Sequence, residues 1–411
     1  MEKYIVIVEA TTSGAGLQII KAAIEVNKNV IFITNDKEKY KDDVNNPLFK
    51  KIQLVHCPNP SHYSTLHETI EGLKSNVNIE GIISLSDGCI EAVSLVAKEN
   101  HLTFINSDVV KVCRNKELTR RKLRSIVKMP KYQVITSFKQ AVGVSENWGF
   151  PIILKDSRGT GSMNVYLCRD EKELTEYYHE ISTQIRDKQN SKILIEEYIV
   201  GTLVSVEAIT YNYNTSVIGI TNRTLGRVPY FVEQAYDFPY KLSEPLNNEL
   251  IDIHSKVVKE LNINVGPTHT EFLIAKDGIY LVEVNPRLGG GLLGKMISDS
   301  LDYDIYKEIV NISINKARYK EYKVVKGAST YVLYPEKEGV NTRIDDSLAI
   351  KVPYIQEIKI KNLEKNHVML PKDFKGDLGY IYAVSGSAPE ARLACETASS
   401  QLKIVYDQFS H

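Results

Sequence analysis

A chain of 411 residues is long enough for two to four domains and a large buried core, and its 51 basic and 51 acidic side chains leave no net charge. That balance gives no sign of an electrostatic footprint for nucleic acid or for an anionic membrane, so recognition is expected to fall to specific polar groups. Five cysteines, at 57, 89, 113, 168 and 395, form no CxxC pair and are odd in number, which argues against a disulfide framework and a zinc ribbon and makes a reducing cytoplasm the expected setting.

Residues 4–8 (YIVIV) read as a strand, too short for a signal-peptide core and without a basic flank, and no later apolar run reaches membrane-spanning length. The strand leads into Thr11-Thr12-Ser13-Gly14-Ala15-Gly16, a helix through Asn27 and a strand over residues 30–34. A later strand over 81–85, a helix from about Cys89 to Asn100 and a strand over 103–105 continue the alternation. This pattern predicts an open parallel sheet. Gly14 and Gly16 would suit an anion at a helix start, but the motif is not GxGxxG and no acid stands at the ribose-reading distance. A structural or substrate-facing turn is expected there instead of a dinucleotide site.

Arg114, Lys116, Arg120, Arg121, Lys122 and Arg124 stud a predicted helix, a run that usually marks a solvated face, and Arg120 and Lys122 are read as surface. Residues 150–155 form a strand entering Asp156-Ser157-Arg158-Gly159-Thr160-Gly161-Ser162. Here Ser157, Gly159, Gly161 and Ser162 would let successive backbone N–H groups close around phosphate oxygens. No Gly-Lys-Ser/Thr closes the loop, so it is not a Walker A motif, and a plain hairpin turn is the alternative. Lys155 alternates outward from Leu154 and can pair with phosphate as a point charge.

The stretch GPTHTEFLIAKDGIYLVEVNPRLGGG, residues 266–291, carries the densest chemistry. Its arms alternate around Lys276-Asp277-Gly278. A three-residue loop with Gly278 left-handed sets Glu271 opposite Glu283, with Asn285 and Arg287 on the same face and Phe272, Ile274, Tyr280, Val282 and Val284 on a core face. A two-residue turn would put the two carboxylates on opposite faces. Like charges facing each other across a sheet repel unless something positive lies between them. Glu271, Glu283 and Asn285 supply the hard oxygen donors that suit Mg²⁺ or Mn²⁺, with phosphate and water completing the shell, which points to a nucleotide triphosphate site. An ordinary hairpin with a solvated acidic face is the alternative. His269 shares the metal face by parity and is read as a hydrogen-bonded strand histidine before a ligand.

With these segments the sequence resembles the ATP-grasp superfamily, and within it the carboxylate-amine ligases that include dipeptide-forming L-amino acid ligases. The resemblance spans nearly the whole chain and also rests on Ser84-Leu85-Ser86-Asp87, Arg114-Asn115-Lys116, Ile195-Glu196-Glu197-Tyr198 and Pro229-Tyr230-Phe231-Val232-Glu233. It implies an α/β and α+β multi-domain architecture: an open parallel-sheet pre-grasp domain over 1–114, a two-lobed ATP-grasp fold with its first lobe at 115–195 and its second, bearing metal and substrate, at 196–325, and a small C-terminal closing domain over 326–411. It also implies roles. Lys116 and Lys155 reach the nucleotide phosphates, Glu196 accepts from the adenine amine, and the backbone of Glu197, Tyr198 and Ile199 reads the ring edge. An acid that relatives carry for the ribose hydroxyls is Leu203 here, leaving Glu207 as a substitute or the ribose loosely held. The segment around residues 226–236 resembles the substrate loop, with Glu233 meeting a substrate ammonium and Tyr236 standing where many relatives place a histidine. Tyr230 and Phe231 are as readily read as packing.

The resemblance further implies acyl-phosphate ligation: ATP phosphorylates a carboxylate, an amine displaces the phosphate, and an amide, ADP and phosphate leave. Positioning and charge neutralisation dominate such chemistry, so no nucleophile is expected. Arg287 suits a clamp on the developing acyl phosphate, and Gly289, Gly290 and Gly291 would allow close backbone approach to the substrate. Expected cofactors are ATP and Mg²⁺ or Mn²⁺. Expected partners are small-molecule carboxylate and amine substrates, amino acids foremost, with a homodimer as the candidate assembly. A carboxylating or purine-pathway enzyme of the same superfamily and a nucleotide-binding sensor without turnover are the competing classes.

Overall fold

The computed structural model describes residues 1–10, 15–40, 47, 49–186, 191–226, 228–361, 367–368 and 370–407. The glycine turn at residues 11–14 and Arg227 lie outside them. Strands β1 (Lys3–Val8), β2 (Asn29–Thr34), β3 (Ile52–His56) and β4 (Asn78–Ile83) form a parallel sheet in the order β3-β2-β1-β4. Ile5, Ile7, Val30 and Phe32 pack in one layer with the helix Ala15–Glu25, while Val6, Val8, Ile31 and Ile33 pack in the other with Tyr63–Lys74 and Ile90–Glu99. Burial on both faces is why these strands are nearly continuous apolar runs. The strand expected at residues 103–105 does not form. Asn264 bridges that segment instead, accepting from the Asn106 N–H at 3.0 Å and donating to the Phe104 carbonyl at 3.2 Å, so a side chain satisfies backbone groups that a sheet neighbour would otherwise have to meet.

A second layer consists of β5 (Tyr132–Ile135), β6 (Ile152–Asp156), β7 (Val165–Cys168) and β8 (Ile193–Glu197), antiparallel in the order β5-β8-β6-β7. The helices Phe138–Trp148 and Glu171–Ile185 share its core. Next come β9 (Gly201–Tyr211), β10 (Asn214–Leu225), β11 (Glu233–Phe238), β12 (Gly266–Ala275) and β13 (Gly278–Asn285), then β14 (Gly327–Leu333), β15 (Gly339–Asp345), β16 (Ile355–Ile360), β17 (His367–Val368), β18 (Gly379–Ser385) and β19 (Lys403–Asp407). An eight-stranded sheet runs β13-β12-β9-β10-β11-β14-β18-β16, and β17-β15-β19 form a three-stranded sheet. Residues beyond 326 extend the central sheet through antiparallel pairing of β11 with β14, the expected boundary at 325/326 falling in the stretch that precedes β14.

The molecule is a mixed α/β, multi-domain protein with a parallel sheet and a large antiparallel sheet. Gly81 shows how closely the parallel sheet packs on the helix Ile305–Ser313: a Cβ there would lie 2.9 Å from the Ser313 carbonyl. All five cysteines are buried free thiols. Among the described residues no helix is long and apolar enough to cross a membrane.

Candidate active site

The hairpin of β12 and β13 reaches the expected pairing by another route. Ala275 pairs with Gly278, so the loop is the two residues Lys276 and Asp277, and Gly278 has φ +141° instead of a left-handed helical value. An unbroken register from that turn would set Glu271 against Val282. A bulge leaves Val282 over, and Glu271 faces Glu283. It also changes the core face, burying Ile279 and Leu281 beside Phe272 and Val284 in place of the expected Tyr280 and Val282. The bulge is held from outside the sheet: Arg120 Nη2 donates to the Val282 carbonyl at 3.3 Å, and the Leu281 N–H donates to the Lys128 carbonyl at 2.9 Å.

Two facing carboxylates need positive neighbours, and protein side chains provide them. Lys116 Nζ lies 3.0 Å from Glu283 Oε2, and the Asn285 amide donates to Glu283 Oε1 at 2.8 Å. Burial by itself would raise the Glu283 pKa, but Lys116 and Asn285 hold it well below the usual carboxylate range. Glu271 Oε1 is met by Arg223 Nη1 at 3.0 Å and His269 Nε2 at 3.1 Å. Burial would lower the His269 pKa, yet Glu207, bonded at Nδ1, brings it up to about 9. Glu207 is 1% exposed, with its carboxylate also accepting from Ser205 at 2.6 Å and Thr221 at 3.1 Å. Those bonds commit Glu207 to the sheet interior and away from an open ribose contact, and Leu203 is buried beside Leu273.

The sheet β5-β8-β6-β7 and the helix Lys116–Leu123 contribute a buried triad. Lys155 pairs with Glu196 Oε2, and Arg120 Nε lies 2.5 Å from Glu196 Oε1. Arg120 is 1% exposed, the reverse of the surface position expected from its basic run, because its face of the helix Lys116–Leu123 turns inward onto β8 and β13. Lys122, pairing with Glu260 at 2.9 Å, is at the surface as expected. Both Glu196 oxygens thus face cations. Lys116 reaches back to the glycine loop, donating to the Gly159 carbonyl at 2.7 Å. Gly161 and Ser162 have φ +59° and +58°, consecutive positive-φ residues at the centre of a turn that the Met163 N–H closes on the Thr160 carbonyl at 3.2 Å. Ser157 is buried and latches the loop, its N–H donating to the Lys192 carbonyl at 2.9 Å and its Oγ accepting from the Lys192 N–H at 3.0 Å.

Burial pushes the Lys155 pKa down to about 8 against the pull of Glu196. A phosphate binds the cationic form, so above pH 8 nucleotide binding must take up a proton. The affinity for a non-hydrolysable ATP analogue should be flat near neutrality and weaken above pH 8 by up to about tenfold per pH unit. Fluorescence titration from acid to alkaline pH reads the slope, and Lys155→Met should flatten it. An identical slope in that variant would remove Lys155 from the phosphates.

Arg287 is held by Asp87 in the turn that follows β4. Its Nε donates to Asp87 Oδ1 at 2.8 Å, its Nη2 pairs with Asp87 Oδ2, and Arg114 adds a 3.4 Å contact to the same carboxylate. Glu233 and Tyr236 sit around Arg223: Glu233 pairs with its Nη2, and its Cζ lies 5.2 Å from the centre of the Tyr236 ring. Tyr230 packs edge-on against Tyr166 and Tyr177, whereas Phe231 lies 6.2 Å from Tyr198 beside the lobe junction. There the Glu197 N–H donates to the Lys131 carbonyl at 2.9 Å, and Tyr198 and Ile199 are half-buried. The three glycines differ in function. A Cβ on Gly289 would meet Leu293 at 2.3 Å and His269 Nδ1 at 3.0 Å, Gly291 takes φ +60°, and Gly290 is open. Sequence reasoning passed over Arg223, whose one signal was a charged residue inside an otherwise uncharged strand, and quoted Asp87 without giving it a role.

A family model described as the ATP-grasp domain matches residues 148–295. An uncharacterized protein, y4rH, of Sinorhizobium fredii is 23% identical over 100% of this chain and 84% of its own. Among solved structures, an L-amino acid ligase from Bacillus licheniformis superposes with TM-score 0.87 at 19% identity, covering 99% of both chains. A phosphoribosylglycinamide synthetase from Anaerococcus prevotii gives TM-score 0.71 at 17% identity over 99% of this chain and 100% of that one. A biotin carboxylase from Campylobacter jejuni, in complex with β,γ-ATP, gives 0.72 at 15% over 98% and 92%. At these identities the likenesses establish the fold.

Proposed function

Because the chain carries an ATP-grasp domain in an ATP-grasp fold, we propose that it is an ATP-dependent carboxylate-amine ligase joining amino acids through an acyl phosphate and releasing ADP and phosphate. The observation that carries this is the meeting of Glu271 and Glu283 across the hairpin with Asn285 beside them. Among the described residues no group of three or more His, Cys, Asp and Glu comes together that could hold a metal. A cation here would rest on the two carboxylates, the Asn285 amide oxygen and oxygens brought by the nucleotide, a donor set that fits Mg²⁺ or Mn²⁺. Such an ion, when bound, would neutralise charge on the phosphates during transfer.

The chain's own groups supply the rest. Lys116 and Lys155 hold phosphate oxygens beside the turn at Gly161 and Ser162. Arg287, with Nε and Nη2 on Asp87 and Nη1 donating to the Leu288 carbonyl at 2.8 Å, offers its charge and its remaining Nη N–H bonds to the carboxylate and then to the acyl phosphate. In the first step the bond from the γ-phosphorus to the bridging oxygen breaks as the carboxylate oxygen bonds to phosphorus. In the second the amine bonds to the acyl carbon, phosphate leaves with the former carboxylate oxygen, and the amine gives up a proton. No side-chain nucleophile takes part.

Phosphate release with Mg²⁺ and ATP, screened against pairwise amino acid mixtures, tests the proposal. Turnover should appear only with particular amino acids and yield ADP. AMP and pyrophosphate as products, or turnover supported by bicarbonate and by no amino acid, would overturn it.

A further inference from the structure

The geometry points to Arg223 as a shared counter-ion that a divalent cation must displace from Glu271 and that the substrate's carboxylate then receives, which couples metal loading to substrate binding; this rests on the ligase function proposed above. Arg223 extends from β10 into a buried position between two carboxylates on different strands. Nη1 lies 3.0 Å from Glu271 on β12, Nη2 pairs with Glu233 on β11, and Nε is buried with no hydrogen-bond partner among the described residues. One guanidinium thus joins the candidate metal ligand to the residue expected to receive a substrate ammonium.

The arrangement at Glu271 is crowded. His269 Nε2 approaches the same Oε1 at 3.1 Å and lies 2.5 Å from Arg223 Nη1, so an imidazole and a guanidinium converge on one carboxylate oxygen. A divalent ion on Glu271 would place a second full positive charge beside the Arg223 guanidinium, in a site where water screens poorly. His269 is pinned from behind by Glu207, at 2.9 Å from its Nδ1. Arg223 has the longer side chain and a second anion to turn toward, so Arg223 yields. Away from Glu271 its guanidinium needs a new anion, because an uncompensated buried charge is costly. The carboxylate to be phosphorylated meets that need at the metal's edge. An α-amino acid goes further, since its carboxylate can pair with Arg223 while its ammonium pairs with Glu233, opening the existing ion pair without leaving either charge unpaired. The site therefore selects a carboxylate that carries a neighbouring ammonium. Coupling of this kind is reciprocal: whatever the metal gains from the substrate, the substrate gains from the metal.

The experiment measures Mn²⁺ binding, by electron paramagnetic resonance, to protein saturated with a non-hydrolysable ATP analogue. Arg223→Gln removes the competitor for Glu271 and should tighten Mn²⁺ several-fold. Glu233→Gln removes the competing partner of Arg223, concentrates it on Glu271 and should weaken Mn²⁺. An arginine with a merely structural role would weaken Mn²⁺ in both variants when disturbed, so the opposite signs are diagnostic. In turnover, Arg223→Gln should raise the KM for the carboxylate substrate by roughly ten- to a hundredfold, as expected for a lost charge-assisted bond, without raising that for the metal–nucleotide. Retained binding of the analogue without metal certifies the fold of each variant, and the variant that folds decides by its sign. Metal-dependent binding in the wild type with both shifts in one direction, or with neither, overturns the inference and leaves the ligase function standing. No Mn²⁺ binding in the wild type would instead count against that function.

Discussion

Glu283→Gln is expected to lower ATP-dependent turnover by roughly a hundred- to a thousandfold, the scale of losing one group that meets developing charge in a dry site, while metal-free nucleotide binding persists. Its effect on the ligand-free protein runs opposite to simple repulsion. In the isolated hairpin, removing one of two facing carboxylates would relieve a like-charge contact. In the folded protein Lys116 lies 3.0 Å from Glu283 and the Asn285 amide lies at 2.8 Å. Against the upward push of burial, these partners hold its pKa below the ordinary value. A depressed carboxyl stabilises the fold at pH above its unfolded pKa, and that stability is lost as pH falls through the folded one. The variant should therefore be less stable than wild type at pH 7, with the gap narrowing once pH drops below the ordinary glutamate value of 4.5. Thermal unfolding across that range, beside steady-state phosphate release at varied Mn²⁺, checks both parts. Unchanged metal dependence would remove Glu283 as a ligand, and equal or greater stability at pH 7 would remove Lys116 as its counter-ion.

Glu196→Gln should have the largest effect on stability, a loss of about 3–5 kcal/mol from breaking a buried ion pair and leaving its partners uncompensated. Glu196 is 3% exposed, with Lys155 on one oxygen and Arg120 on the other. Arg120 cannot shed its proton, whereas Lys155, already down at about 8, can become neutral. The loss should consequently be greater at pH 6 than at pH 9. Glu197→Gln is the control, since Glu197 is half-buried and its carboxylate receives one 3.3 Å bond from the Lys131 N–H; little change is expected there. Denaturant midpoints for the two variants decide the matter. A Glu196→Gln protein within about 1 kcal/mol of wild type, the range of an exposed pair, would show that the triad does not hold the lobe together. Because the same triad carries Lys155, the variant should also weaken nucleotide binding even where it remains folded.

The local chemistry of this chain was legible in its sequence because alternation along a strand dictates which face each side chain takes. Glu271 and His269 share one face of β12 for that reason, and the glycine and serine composition after β6 marked a backbone able to turn left-handed at Gly161 and Ser162. The β-α alternation before residue 100 likewise announced the parallel sheet. Periodicity carries no information about what lies across from a strand. The pairing of Glu271 with Glu283 was expected from a three-residue turn, and the protein reaches it with a two-residue turn plus a bulge that Arg120 and Lys128 hold from outside the hairpin. The basic run at residues 114–124 looked solvated as a helix alone, and packing against β8 and β13 buries Arg120 within it. Asp87 and Arg287 stand 200 residues apart, and Arg223 gathers carboxylates from two other strands. Chain order cannot announce such pairs, because ion pairing depends on distance in space and on desolvation, and both are set only when the sheets close on one another. The sequence determined which residues could do chemistry; the tertiary structure decided which charges neutralise which.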